Sequence, residues 1–220
     1  MGYEIDHIFV LTDMGAPAAA ALLRLGLTEG PPNRHAGQGT ANRRFFFNNA
    51  MLELLWLENV DEARNPAARP LQLVDRWMER SLNASPFGVC LRPNDAETFL
   101  SPFESYEYRP PFFPTGLSAH ICLGTPLDEP LWFYIGRSRP LHAVPSHRNL
   151  ASPHRIGVEN ITEVTITLPS TPSSVANDTS SACGVGLRKG TQHHLRITFD
   201  GRRQGCTHHF DPELPMELLW

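Results

Sequence analysis

Apolar and polar positions in the first sixty residues follow the periods of strands and helices in turn. Residues 3–12 place apolar side chains on both faces of a period-two pattern, which predicts a strand covered on both sides. Residues 15–25 are rich in alanine and leucine and end at Gly26, which predicts a helix with a glycine cap. The pattern then predicts a short strand over residues 27–32 and a loop over 31–39. Residues 42–48 and 51–57 are predicted to be the two strands of a hairpin. This order of elements is a βαβββ unit.

The same order of elements returns after a connecting segment. Residues 61–70 are rich in proline and arginine and predict a linker, and apolar residues at helical spacing over 71–82 predict a helix. A strand is then predicted over residues 87–92 and a short helix over 95–100. An edge strand interrupted by proline follows over 106–113, and two further strands over 117–123 and 131–135. Residues 136–153 are rich in Pro, Ser, His and Arg and predict a long loop.

A third, partial copy of the unit closes the chain. It is predicted to begin with a strand over residues 161–168 and a polar helix over 170–182. A hairpin around Asp200-Gly201 follows, formed by 195–200 and 206–210, and a last strand covers 216–220. The string Glu53-Leu54-Leu55-Trp56 ends the first unit, and the string Glu217-Leu218-Leu219-Trp220 ends the chain. When Ile5-Asp6-His7-Ile8 is aligned with residues 161–164, the strings that begin at Glu53 and Glu217 also nearly align, with about eight extra residues between. These positions favour an internal repeat.

The elements predict an α+β protein, because a doubly wound sheet needs a helix after every strand and each unit has only one. We expect paired βαβββ modules that form one curved, cup-shaped mixed sheet, with a third partial module at the C-terminus. We expect a first module over residues 1–60, a linker helix over 61–84 and a second module over 85–136. A linker over 137–154 then leads to a C-terminal partial repeat over 155–220.

Composition excludes several classes of partner. The 220 residues include 19 basic and 23 acidic side chains, a net charge of −4, and the adjacent arginines are isolated pairs, so nucleic-acid binding is not expected. The longest apolar run, residues 16–23, is far shorter than a membrane span. The first residues lack a signal-peptide pattern, and the four cysteines form no C-x-x-C pair. We therefore expect a cytoplasmic protein with reduced cysteines.

Three strings in the first unit carry a family resemblance, over residues 5–10, 35–43 and 51–55. They resemble the glyoxalase-like branch of the vicinal oxygen chelate superfamily. The similarity is good over residues 3–58 and weaker over 85–136, where the order of elements supports it. The resemblance implies a cup-shaped sheet of paired βαβββ modules and, in enzymes of the superfamily, a divalent metal held by His and Glu side chains from the first and last strands.

Carried onto this sequence, the resemblance implies that His7 and Glu53 are metal ligands. An imidazole and a carboxylate suit zinc, iron, manganese or nickel and leave positions open for two substrate oxygens. Taken singly, each residue has an ordinary explanation, a satisfied core histidine or a solvent-facing strand glutamate. The end strands of the second unit supply no matching His or Glu, so His120 and Tyr134 are the substitutes, and His120 is the expected third ligand. Glu163 and Glu217 of the third copy are the alternative.

The string 35–43 is the expected substrate-binding loop. Gly37 and Gly39 allow a close approach of the backbone to a ligand, and Thr40, Asn42 and Arg43 supply donors for a carboxylate or carbonyl. A plain hairpin connection is the alternative interpretation. The full set of expected substrate-binding residues is His35, Thr40, Asn42, Arg43, Phe45, Trp56 and Tyr134.

The resemblance predicts a metal-dependent enzyme of the lyase, isomerase or ring-cleaving dioxygenase type. Its substrate would be a small oxygen-rich or aromatic-derived metabolite. The alternative is a metal-free protein of the same fold that binds or sequesters an aromatic ligand in a cup lined by Phe45, Phe47, Trp56 and Trp132. A scaffold that pairs its sheet edges with a partner is a third hypothesis. The expected partners are a small-molecule substrate and a second copy of the chain.

Overall fold

The computed structural model describes residues 2–80, 82–94, 100–137 and 152–220. The strands in these ranges are β1 (Tyr3–Leu11), β2 (Asn33–His35), β3 (Thr40–Phe46), β4 (Met51–Leu57), β5 (Phe87–Pro93), β6 (Ser105–Tyr108), β7 (Leu117–Cys122), β8 (Leu131–Arg137), β9 (Ile161–Leu168), β10 (Gly186–Lys189), β11 (His194–Phe199), β12 (Thr207–His209) and β13 (Met216–Leu219). The α-helices are α1 (Ala19–Leu25), α2 (Val60–Ala63), α3 (Leu73–Glu79) and α4 (Ser174–Cys183), and short 3-10 helices cover Arg69–Leu71 and Asp200–Arg202.

Eight strands form one strongly curled mixed sheet in the order β2-β3-β4-β1-β5-β8-β7-β6. β1 and β5 pair antiparallel at its centre, and each also pairs in parallel with the last strand of its own unit, β4 or β8. The predicted curved sheet of paired modules is confirmed. Of the helix predicted over 95–100, residues 95–99 lie outside the described ranges, as do residues 138–151 of the predicted loop.

Two local predictions in the first unit need correction. The strand predicted over 27–32 is wrong, because β2 begins only at Asn33, which pairs with Asn42. The prolines at 31 and 32 have no N–H to give to a strand ladder, so pairing starts after them. The linker predicted over 61–70 begins inside α2, which forms because the Asn59 side chain accepts hydrogen bonds from the backbone N–H groups of Asp61 and Glu62.

The side chains of the curled sheet divide into two faces. Ile8 and Leu52 belong to a large buried cluster shared with α1 and the second sheet, and we call this side the core face. The opposite side carries His7, Phe9 and Glu53, and we call it the His7 face. A smaller apolar cluster, which includes Phe9 and residues of the linker helices, covers part of the His7 face.

The C-terminal residues form a second mixed sheet in the order β10-β9-β11-β13-β12. The hairpin predicted between residues 195–200 and 206–210 is wrong, because β13 lies between β11 and β12 and pairs with both. All four residues of β13 are buried, whereas two of the three in β12 are exposed. The apolar strand therefore takes the inner position and the polar strand takes the edge.

The second sheet repeats part of the first. β13 lies parallel to β11 with Glu217 opposite Arg196, as β4 lies parallel to β1 with Glu53 opposite Phe9. β12 and β3 each pair antiparallel with the glutamate strand. β9, which the sequence aligns with β1, is likewise followed by a helix, pairs in parallel with a later strand, β10, and pairs antiparallel with β11. The strand of Glu217, however, pairs in parallel with β11 and not with β9.

No helix in the described part of the chain is long and apolar enough to cross a membrane.

Candidate functional site

A β-bulge at the centre of the curled sheet gathers three polar side chains. Ile5 lies opposite Leu91 and His7 lies opposite Cys90, so Asp6 is an extra residue in β1. A bulge of this kind turns two consecutive side chains toward the same partner. Asp6, His7 and Cys90 consequently offer an oxygen, a nitrogen and a sulfur that all lie within 4.8 Å of one another.

Asp6 fixes the orientation of the His7 ring. Its Oδ1 accepts a hydrogen bond from His7 Nδ1 at 2.7 Å, and its Oδ2 accepts one from Arg92 Nη1 at 3.2 Å. Burial alone would lower the pKa of His7, but the charge of Glu53 and the hydrogen bonds to Asp6 and Cys90 raise this pKa well above its usual 6.5. The surroundings of His7 therefore favour its protonated form.

Cys90 is fully buried beside His7, at 0% exposure. Burial raises the pKa of its thiol to about 11, although the neighbouring His7 opposes the shift. The thiol is therefore protonated at neutral pH, and an ion that binds to its sulfur must displace that proton.

Glu53 is a buried carboxylate held in place by an amide. Its Oε1 accepts a hydrogen bond of 2.9 Å from Asn42 Nδ2, and Asn42 Oδ1 accepts one of 2.9 Å from the Asn33 backbone N–H. Both sides of the Asn42 amide are thus engaged, which fixes the direction of its NH₂ group. Arg44 lies opposite Glu53 in the strand register and brings a positive charge to the same face.

A short chain of hydrogen bonds joins Gln38, Thr40 and His35. Gln38 Nε2 donates to Thr40 Oγ1 at 2.8 Å, and Thr40 Oγ1 lies 2.8 Å from His35 Nδ1. When the hydroxyl donates to Nδ1, the ring proton of the neutral His35 is on Nε2. Burial lowers the pKa of His35, against the raising influence of Glu53, which keeps the ring neutral at pH 7.

His35, Thr40 and Asn42 lie on the His7 face, but the glycines between them have another role. The φ of Gly39 is +72°, and a Cβ there would lie 2.1 Å from the Asn59 carbonyl oxygen. Gly37 N–H donates to Glu62 Oε2 at 2.8 Å. Both glycines pack the loop against the linker instead of opening its backbone to a ligand.

The structure does not bring His120 to the site. His120 lies opposite Tyr134, with ring centroids 6.0 Å apart, whereas the ring of the next residue back, Phe133, lies 5.3 Å from that of His7. Because neighbouring residues of a strand point to opposite faces, His120 is on the core-face side. The prediction that His120 completes a metal site with His7 is therefore wrong.

Four predicted substrate-binding residues also lie on the core-face side: Arg43, Phe45, Trp56 and Tyr134. Phe45 and Tyr134 are fully buried in the large apolar cluster, and Trp56 packs against it. Arg43 donates to the carboxylate of Glu29. These four side chains cannot meet a ligand on the His7 face, so this part of the prediction is wrong.

The alternative ligands from the third copy lie in the second sheet. Glu163 is exposed on β9. The Glu217 carboxylate contacts Arg196 Nε at 2.5 Å and His209 Nδ1 at 3.1 Å, so its charge is already compensated. Neither residue joins the group of ligand atoms around His7.

Sequence reasoning missed three residues of the site: Asp6, Cys90 and Arg44. Period-two alternation from Asn42 selects Arg44 and not Arg43, so that signal was present in the sequence. Cys90 stands in the first strand of the second unit, where the family pattern calls for a ligand. Asp6 reaches the site only through the bulge, which the sequence does not mark.

A cavity of about 550 Å³ lies away from this site, at the end of β1 beside α1. Its lining includes Arg24 and Arg80 as well as Asp13 and Glu213, so positive and negative side chains balance. Neither His7 nor Glu53 borders it.

The donor set on the His7 face fits a borderline divalent ion. Imidazole, carboxylate and thiol groups suit zinc or iron(II) better than they suit calcium or magnesium. Ligand atoms that each lie 2.0–2.3 Å from one ion stand within about 4.6 Å of each other, close to the observed spread of 4.8 Å for Asp6, His7 and Cys90. These three atoms therefore need only small side-chain shifts to close around an ion, and Glu53, on the same face, is not part of this group.

Comparisons with known proteins agree with this fold and identify the family. The curled sheet of paired modules is the architecture of the vicinal oxygen chelate superfamily. A family model described as a glyoxalase-like domain matches residues 5–180, and the chain belongs to that family. A search of curated proteins found no match.

Two solved structures illustrate the likeness. A hypothetical protein from Staphylococcus aureus has a TM-score of 0.58 and 12% sequence identity, covering 98% of this chain and 98% of that chain. A variant of the Streptomyces coelicolor methylmalonyl-CoA epimerase in complex with 2-nitronate-propionyl-CoA has a TM-score of 0.39 and 13% identity, covering 63% of this chain and 100% of that chain. The first similarity supports the fold.

Proposed function

We propose that this protein is a metal-dependent enzyme that acts on a small oxygen-rich or aromatic-derived metabolite at the His7 face. The observation that carries the proposal is the buried Glu53 carboxylate, held by Asn42 on the same face as His7. A buried carboxylate is costly unless a positive charge offsets it. Among the described residues Glu53 has no direct ion pair, and the positive groups that interact with it, His7 and Arg44, face the same side, so the face as a whole is suited to hold a cation or an anionic substrate group beside the carboxylate.

His7 and Glu53 would hold the ion. When bound, a divalent metal supplies a Lewis acid that polarises a carbonyl or hydroxyl oxygen of the substrate. Asp6 would keep the His7 ring in position through the bond to Nδ1, which leaves Nε2 as the nitrogen for the ion.

The remaining groups of the His7 face would bind and orient the substrate. His35 would donate from Nε2 to a substrate oxygen, and the same nitrogen can exchange a proton because the ring is neutral. Arg44 would attract an anionic group of the substrate. Phe9 and Phe133, whose ring centroids are 6.1 Å apart, would exclude water. A proton-exchanging histidine favours lyase or isomerase chemistry over ring cleavage.

A metal-free binding protein is the second candidate. The apolar cluster that covers part of the His7 face, including Tyr108 and Leu131, would suit an aromatic ligand. Binding of a metal ion is thus the property that distinguishes a metal-dependent enzyme from a metal-free binding protein.

Elemental analysis of protein purified without added metal, and calorimetric titration with zinc, nickel, manganese and iron(II), would test the proposal. Glu53→Gln keeps the shape of the side chain and removes its charge, so metal affinity should fall at least about tenfold while the far-UV spectrum is unchanged. Glu217→Gln is the matched control, because Glu217 begins the same four-residue string in the second sheet. Equal affinities of the parent and Glu53→Gln, or no binding by the parent, would favour the metal-free protein.

A further inference from the structure

Cys90 occupies a central position in the site. It is the residue of β5 that lies directly opposite His7, at the antiparallel junction where the two modules meet. One step away in the sheet, its partner in β8 is Phe133, which offers no ligand atom. The second module therefore contributes a sulfur to the His7 face through its first strand and only an aromatic ring through its last.

The Cys90 sulfur interacts with the His7 side chain and only weakly with the backbone. Its backbone hydrogen bond is a 3.7 Å contact from Sγ to the Leu91 carbonyl oxygen, and the side chain is completely buried. A buried thiol of this kind is usually a small apolar residue. Here, however, it stands within 4.8 Å of both a histidine nitrogen and a carboxylate oxygen, which an apolar role does not require.

Asp6 is the least suited of the three grouped residues to bind an ion. Its two carboxylate oxygens are shared between His7 Nδ1 and Arg92 Nη1, and Arg92 is also anchored by a 2.8 Å bond to the Asn49 carbonyl oxygen. To bind a metal ion, Asp6 would have to give up its hydrogen bond to His7 or its hydrogen bond to Arg92. Asp6 therefore holds the His7 ring in position, and the sulfur of Cys90 remains as the donor beside His7.

We propose that Cys90 is a ligand of the same ion as His7, so that the site combines nitrogen and sulfur donors and is selective for thiophilic metals such as zinc over manganese. This inference rests on the metal dependence proposed above. Thiolate ligands favour zinc-like ions, whereas oxygen ligands suit manganese. The complete burial of the thiol agrees with a ligand better than with a nucleophile that a substrate must reach.

Cobalt(II) substitution gives a readout that is independent of activity. A cobalt–thiolate bond produces an intense near-ultraviolet charge-transfer absorption, which nitrogen and oxygen ligands do not give. We expect this absorption in the parent protein and its loss in Cys90→Ala and Cys90→Ser. Cys122→Ala is the matched control, because Cys122 is also buried in a strand with a weak Sγ contact of 3.6 Å to a carbonyl oxygen.

Zinc and manganese titrations of the same variants measure the selectivity. Zinc affinity should fall at least about 100-fold in Cys90→Ala, beyond the range of roughly 10- to 100-fold typical of residues that only support a ligand. Manganese affinity should change much less. Circular dichroism of each variant confirms that the fold is retained, and the serine variant provides a second test if the alanine variant is unstable.

The outcomes separate this inference from the proposed function. Cobalt binding by the parent without charge-transfer absorption, together with unchanged zinc affinity in a folded Cys90 variant, would overturn the cysteine ligand and leave a metal-dependent enzyme. Absence of cobalt and zinc binding by the parent would overturn both proposals.

Discussion

Arg196 of β11 and Glu217 of β13 form an ion pair of 2.5 Å in the second sheet, at the position where the first sheet places Phe9 opposite Glu53. The two glutamates thus share their place in a repeated pair of parallel strands but differ in their surroundings. Glu217 has a guanidinium and His209 as neighbours, so its charge is compensated within the chain. Glu53 has a neutral amide as its hydrogen-bond partner and no ion pair among the described residues, and it interacts with the charges of His7 and Arg44 only at longer range.

Replacing Arg196 with alanine should destabilise the second sheet without affecting the metal site. The Glu217 side chain is only 8% exposed and would retain His209 as its partner, while the Arg196 side chain is 41% exposed. Solvent screening limits the loss of unfolding free energy to about 1 kcal/mol. Urea denaturation measures this change, and Arg188→Ala, at an exposed position of β10, is the control expected within about 0.5 kcal/mol of the parent. A change in metal affinity in the Arg196 variant would contradict the interpretation that the metal site depends on the first sheet and not on the second.

Asn42→Ala should weaken metal binding through Glu53. The substitution removes the amide that holds Oε1 and leaves the Asn33 N–H without its acceptor. We expect a loss of about 10- to 100-fold in zinc affinity and of about 1–2 kcal/mol in unfolding free energy. Calorimetry and urea denaturation measure the two effects separately.

Asn49→Ala is the control for this prediction. Its side-chain amide donates to and accepts from the backbone of Ile161 and so joins the two sheets away from the His7 face. We expect a similar loss of stability with zinc affinity unchanged. Equal zinc affinity in Asn42→Ala and Asn49→Ala would mean that Asn42 does not position Glu53.

His154 should make the fold sensitive to acid. The neutral ring accepts a 2.9 Å hydrogen bond at Nδ1 from the Thr28 backbone N–H and donates from Nε2 to the Phe46 carbonyl oxygen at 3.1 Å. Burial lowers the pKa of His154 below 6.5, although the bond to Phe46 opposes the shift. The unfolded chain therefore binds the proton more readily, so stability is present above about pH 6.5 and is lost as the pH falls below it.

His154→Gln tests the assignment, since glutamine can also accept from Thr28 and donate to Phe46 but does not titrate. The difference in urea midpoint between pH 7.5 and pH 5.5 should be smaller in the variant than in the parent. His208→Gln, a change in the edge strand β12, provides the control and should retain the parental pH dependence. An identical pH dependence in the His154 variant would rule out this histidine as a source of the acid sensitivity.

The local pattern of the sequence determined the elements and much of the first sheet. Alternation over residues 3–12 and 51–57 predicted β1 and β4, and the family resemblance selected His7 and Glu53, which the parallel register places on one face. Period two and period 3.6 arise from neighbours along the chain, so such features can be read without knowing which strands will pair.

Only the tertiary structure decided which strands meet and which side chains share a face. The insertion of β13 between β11 and β12 depends on burying an apolar strand from both sides, which involves residues distant in sequence. The bulge that admits Asp6, and the register that places His120 away from His7, each depend on a shift of one residue, which moves a side chain to the other face. The cysteine opposite His7 became a candidate ligand only when β5 was paired with β1, because sequence separation does not fix that contact.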